Sequence, residues 1–142
     1  MVMEYEAVFD KAELTSLAVT SAEIEEAEKE VPIELKAAIY LAKRNIETFH
    51  STQRFEGKKV DTMEGVTCWQ KAVAIEKVGL YIPGGTAPLF STVLMLAIPA
   101  KIAGCKEIVL CTPPDKNGKV HPAILFAARL AGVSKIFKVG GV

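Results

Sequence analysis

From Leu35 onward, apolar residues return at Ile39, Ala42, Ile46 and Phe49, in steps of four and three that set them on one face of a long amphipathic helix. A shorter acidic helix precedes it. In "TSAEIEEAEKE" Thr20 and Glu23 stand at capping-box spacing, the Thr oxygen accepting a helix amide proton while the Glu side chain reaches back. Pro32 suits the first turn of the long helix, where a missing N–H is no loss. Beyond "HSTQRFEG" the helical period stops. "KKVDT" and "VTCWQKAVA" read as extended segments on either side of "MEG", which predicts a β-hairpin.

The remaining chain alternates apolar blocks with helical stretches: strand "KVGLYIP", a helix from about Leu89 to Ala103, strand "EIVLCTPP", a helix from about Pro122 to Ala131, and strand "KIFKVGG". Near-continuous Val, Ile and Leu in strands separated by helices predict a parallel βαβαβ sheet covered on both faces, with right-handed crossovers. Gly104 and Gly132 follow the two helices where left-handed caps are wanted. Pro99 lies inside the first of them and cannot donate its amide hydrogen bond, so a kink near Ile98 is expected.

Composition narrows the function classes. Half of the 142 residues are hydrophobic, enough for one domain with a real core. Seventeen basic and seventeen acidic side chains cancel, so no overall field draws in nucleic acid or an anionic membrane. The apolar runs are broken by Pro88, Ser91, Thr92, Pro99 and Lys101, well short of the roughly 20 residues that span a bilayer. The N-terminus carries acids where a secretory signal needs basic residues. A cytoplasmic location is expected. Cys68, Cys105 and Cys111 form no C-x-x-C and read as reduced thiols, mainly small buried hydrophobes.

The densest backbone punctuation lies in "VGLYIPGGTAP", Val78 to Pro88. It falls at the first βα corner, at the carboxyl end of a parallel strand, where open α/β sheets bind ligands. Gly84 and Gly85 can take positive φ and present no Cβ, so backbone amides can turn toward a phosphate, a carboxylate or a cofactor edge at the helix start. A plain tight turn accounts for the same residues equally well. Neither G-x-G-x-x-G nor the P-loop pattern is present. Tyr81 offers an aromatic face and a hydroxyl just before the turn; its alternative is a core tyrosine at a strand end.

Other candidates are weaker. Glu47 and His50 are one helical turn apart, a spacing used in metal sites, but no second pair exists and His50 is better read as a cation at a helix C-terminus. With only His50 and His121, no histidine-rich or cysteine-rich zinc site can be assembled. His121, before Pro122, reads as solvated. Lys58 and Lys59 form a charged hairpin edge, and Trp69 reads as core.

The segments "NIETFHSTQ", "EKVGLYIPGGTAPLFSTVLMLAIPAKIAGCKEIVLCTPP" and "KIFKVGG" resemble the histidinol dehydrogenase family over about Tyr5 to Val142. The resemblance implies N-terminal helices (1–56) and a β-hairpin (57–75) leading into an incomplete Rossmann-like parallel sheet (76–142), the first part of a nucleotide-binding domain. It implies oxidation of L-histidinol to L-histidine through the aldehyde, with NAD as oxidant, in a zinc-dependent homodimer. The family's NAD-contacting tyrosine falls on Tyr81 and its glycine corner on Pro83, Gly84, Gly85 and Thr86, where many relatives carry Ser. The family's catalytic Glu-His pair and zinc ligands fall beyond Val142, so this stretch alone is expected to be inactive. The alternative is a non-catalytic α/β binding or assembly module derived from the family. A sheet edge left open after "KIFKVGG" predicts a homo-oligomer.

Overall fold

The structure is a computed structural model that describes residues 2–10, 12–85 and 87–140. A short helix α1 (Val2–Tyr5) runs into a π-helical turn (Glu6–Asp10). Two longer helices follow, α2 (Ser21–Glu30) and α3 (Ile33–Ser51). The capping box of α2 forms as its spacing predicts: Thr20 accepts from the Glu23 amide, and Glu23 accepts from the Thr20 amide at 2.9 Å. Pro32 sits one position earlier than expected, as the N-cap of α3 rather than inside its first turn. The apolar face of α3 buries Ile39 and half-buries Leu35, Ala42 and Ile46, but Phe49 is 61% exposed, so the last turn lifts off the core.

The hairpin pairs β1 (Lys59–Met63) with β2 (Val66–Trp69) in antiparallel register, Val60 opposite Cys68. The second extended segment is shorter than its apolar run suggests. Gln70 still donates to the Lys58 carbonyl at 3.0 Å, but the chain beyond it is irregular. Trp69 is not core: it is 70% exposed. Cys68, on the same strand, is also exposed rather than buried, while Cys105 is buried and Cys111 half-buried. A two-stranded ribbon has two faces and no third layer, so its apolar residues are buried only if another element covers them.

The βαβαβ unit forms as predicted: β3 (Lys77–Tyr81), α4 (Phe90–Ala103), β4 (Glu107–Thr112), α5 (Pro122–Ala131) and β5 (Lys135–Lys138). The three strands lie in the order β3-β4-β5, all parallel. Gly104 and Gly132 adopt φ of +93° and +83° and close α4 and α5 with left-handed caps. α4 continues through Pro99 to Ala103.

The expectation of a sheet covered on both faces is not met. Burial alternates along β4, with Ile108, Leu110 and Thr112 buried and Glu107, Val109 and Cys111 only half-buried. Consecutive neighbours joined by right-handed crossovers put successive helices on the same side. Accordingly α4 packs on α5, with α3 against α4 and α2 against α5. Ile82, Val93, Leu94 and Leu110 are fully buried in this layer. The other face carries Gly79, Tyr81, Val109, Cys111 and Phe137 at its C-terminal end, and the Lys77–Glu107–Lys135 ion pairs at its N-terminal end.

The edge expected to be open after β5 is closed. Lys138 donates to the Leu17 carbonyl at 2.7 Å and Val19 to the Ile136 carbonyl at 2.9 Å, so residues 17–19 run as an antiparallel bridge along β5. Among the described residues, the unpaired edge of the three-stranded sheet is that of β3.

Candidate functional site at the carboxyl ends of the strands

A cleft of about 870 Å³ opens at the carboxyl ends of β3 and β4. Its floor and walls come from four places: the β3–α4 corner, the β4–α5 loop, the first turn of α5, and the acidic face of α2. Tyr81, Pro83, Gly84 and Gly85 all line it, so the structure brings together four of the five residues singled out from the sequence. Thr86 lies outside the described residues. Tyr81 is 44% exposed, which overturns its alternative as a core tyrosine. It stands beside Cys111 of β4, whose thiol is pushed up from its ordinary pKa by burial.

The corner is built stepwise. Ile82 continues the ladder by donating to the Cys111 carbonyl at 2.9 Å, and its side chain is fully buried. Pro83 then ends donation. Only Gly85 takes a positive φ, +154°, and a Cβ there would meet nothing within 4 Å. Gly84 does not take positive φ. Its requirement is close approach, since a Cβ would lie 2.6 Å from Cγ of Pro113 in the β4–α5 loop. The two glycines therefore serve different ends: Gly84 lets two loops touch, and Gly85 turns the chain beside open space. α4 begins with no side-chain cap and no acid in its first turn, so its positive end is not neutralised locally.

The β4–α5 loop is equally fixed. Asp115 Oδ1 accepts from the Asn117 amide at 2.8 Å and the Lys119 amide at 2.9 Å, while Asp115 donates its own amide to the Lys119 carbonyl at 2.8 Å. Desolvation opposes ionisation of Asp115, but the Lys119 and Asn117 amides, the Asn117 side chain and the Lys119 charge together hold its carboxyl below the usual range. His121 is exposed, as expected, yet it also has a structural role. Its Nδ1 accepts from the Ala123 amide at 3.2 Å and caps α5. Proline at Pro122 signals a helix start, but histidine is outside the usual capping set, so the cap was not legible.

α2 is the part of the site that sequence reasoning missed. Glu23, Glu26 and Glu30 project into the cleft from it. Glu23 meets Lys138, a nearly buried lysine at the end of β5, and Arg129 meets Glu28 at 2.9 Å. Desolvation raises the Glu23 pKa, but the Lys138 hydrogen bond, the Thr20 bonds and the Lys138 charge outweigh it and leave the carboxyl below its usual value. These contacts link residues more than a hundred positions apart, which no local pattern encodes.

Elsewhere, Glu47 pairs with Lys43 rather than His50, and His50 Nδ1 lies 2.7 Å from Gln53 Oε1. Among the described residues no three His, Cys, Asp or Glu side chains gather as metal donors. The residues present therefore do not fit a zinc ion. No helix among the described residues is long and apolar enough to cross a membrane.

A model of the histidinol dehydrogenase family matches residues 1–142. The chain belongs to that family. It is 98% identical over 142 residues to a histidinol dehydrogenase of Bacteroides fragilis and 81% identical over 141 residues to that of Bacteroides thetaiotaomicron, covering 33% of each. The crystal structure of histidinol dehydrogenase from Elizabethkingia anophelis superposes with a TM-score of 0.95 at 54% identity, over 99% of this chain and 32% of that one. The chain thus spans about a third of the length of the histidinol dehydrogenases it matches.

Proposed function

We propose that this chain supplies part of the NAD-binding domain of a cytoplasmic, homo-oligomeric histidinol dehydrogenase that oxidises L-histidinol to L-histidine by way of L-histidinal. Its parts are the helical region 1–56, the hairpin 57–75 and the nucleotide-binding segment 76–142. The observation that carries this reading is the cleft. The corner residues Tyr81, Pro83, Gly84 and Gly85 converge with Pro113, Pro114 and the start of α5 at the carboxyl ends of parallel strands, where such sheets take dinucleotides. NAD, when bound, supplies the hydride acceptor. In this reading the prolines and the Tyr81 ring provide rigid apolar surface for a flat ring, and the corner amides face the phosphates. Thr86, where many relatives carry Ser, is assigned to the same set on the resemblance alone. Zinc and the acid/base pair belong to sequence outside these residues.

Two measurements test the proposal. With zinc, NAD and histidinol at saturation, the chain alone is expected to make no NADH; turnover approaching the roughly 10 per second of an ordinary enzyme would place the chemistry here after all. NAD titrated against isotope-labelled chain should shift Tyr81 to Gly85 and Ala87 with a dissociation constant of roughly 1 mM, about 4 kcal/mol. Tyr81→Phe should weaken that binding by about 1 kcal/mol, the worth of one hydroxyl bond. Shifts confined to other regions would reduce the corner to a turn.

A further inference from the structure

We infer that Lys119 is the cleft's phosphate contact, an inference that rests on the dinucleotide reading above and deepens it. Among the twenty described residues lining the cleft, Lys119 is the one lysine or arginine. The acids are more numerous: Glu23, Glu26 and Glu30 from α2, and Asp115 from the loop. Three of these carboxylates already have partners. Glu23 is matched by Lys138, and Asp115 is engaged by the amides of Asn117 and Lys119, by the Asn117 side chain and, at longer range, by the Lys119 charge. Glu26 pairs at its exposed end with Lys29, and Glu30 adds a further negative charge to the α2 wall.

An anionic ligand entering this cleft is therefore repelled from α2 and drawn toward the β4–α5 loop. Lys119 suits the role for two further reasons. Its backbone is clamped at both polar atoms, the amide by Asp115 Oδ1 at 2.9 Å and the carbonyl by the Asp115 amide at 2.8 Å, so the side chain leaves a fixed root. Its ammonium interacts with the Asp115 carboxylate only at longer range and forms no ion pair within 4 Å among the described residues, unlike Lys138, Lys135 and Lys77, so it can reach a ligand. The fold thus gives the cleft a polarity: phosphates against Lys119 and the glycine corner, hydroxyl-bearing sugar toward the α2 carboxylates.

The test is a titration of isotope-labelled chain with NAD and, separately, with adenosine, which has no phosphate. Lys119→Gln should weaken NAD about three- to five-fold, in the range of an exposed ion pair, and leave adenosine binding unchanged. Lys119→Arg should restore NAD affinity. Lys116→Gln, in the same loop but not lining the cleft, should match the parent and controls for altered folding or net charge. NAD that shifts the cleft equally in Lys119→Gln and the parent overturns the role of Lys119 and leaves the dinucleotide reading standing. NAD that shifts no cleft residue in any variant overturns both. Equal losses for NAD and adenosine would mean that the substitution disturbs the loop, and would also overturn the phosphate assignment.

Discussion

The hairpin and the βαβαβ unit are equally apolar to the eye and end up in opposite environments. β4 reads "EIVLCT" and buries Ile108, Leu110 and Thr112; β2 reads "VTCW" and buries nothing, with Trp69 at 70% and Val66 at 42% exposed. The difference lies in what each strand is connected to. A parallel strand needs a crossover helix, which brings a covering layer with it, whereas an antiparallel hairpin closes on a two-residue turn and brings none. Apolar content therefore identifies strands, and connectivity decides which of them are buried.

The largest effect that sharpens this contrast comes from the middle of the sheet. Leu110 is fully buried between the flanking strands and the helical layer. Leu110→Ala should cost about 3 kcal/mol from lost transfer energy and the cavity left behind, seen as a lower urea midpoint at unchanged slope. A cost under about 1 kcal/mol would mean that the layer is loosely packed in solution and that the contrast with the hairpin is overstated.

The next effect belongs to the corner. Gly84→Ala places a Cβ 2.6 Å from the Pro113 ring, which cannot swing aside as a flexible side-chain end can. About 2 kcal/mol is expected from the forced shift of the two loops. Gly85→Ala meets open space but must hold φ near +154°, and about 1 kcal/mol is expected from backbone strain alone. Equal costs, measured by denaturation, would contradict the separate roles assigned to the two glycines.

What was legible in the sequence follows the same division. The capping box at Thr20 and Glu23, the caps at Gly104 and Gly132, and the period of α3 as far as Ile46 are encoded within a few residues, and each formed. The corner's place at a strand end was legible because strand and helix periods flank it. The contact of Gly84 with Pro113, the α2 wall and the closure of β5 by residues 17–19 were not, since each joins segments far apart in sequence. Trp69 was misplaced because a large aromatic signals the capacity to be buried but not the presence of a covering partner.

A smaller effect tests how α2 is held over the cleft. Glu23→Gln leaves the nearly buried Lys138 without its counter-charge, and about 1 kcal/mol is expected at neutral pH. The sign with pH follows from the lowered carboxyl. Its contribution is full above the ordinary value of 4.5 and is lost as pH falls through the lower folded-state value. Parent and variant should therefore converge in stability on acidification. A gap that widens toward acid would mean that the ion pair is not what fastens α2.

The smallest effect is expected at Trp69, and it probes the hairpin directly. This is the single tryptophan of the chain, so fluorescence excited at the red edge, where tyrosine does not absorb, reports the hairpin alone. At 70% exposure the indole should emit in the native state much as it does in water, and unfolding in urea should move its maximum little, while circular dichroism records loss of the helical layer. Trp69→Ala should change stability by less than about 0.5 kcal/mol, as for a surface position away from any cap or core contact. Native emission shifted strongly to the blue would show the indole covered in solution, by the body of the chain or by another copy. Dilution separates these, because a shift that relaxes as concentration falls needs a second copy and one that persists does not. Either result would remove the contrast between hairpin and sheet, since both would then be buried strands differing only in where their cover comes from.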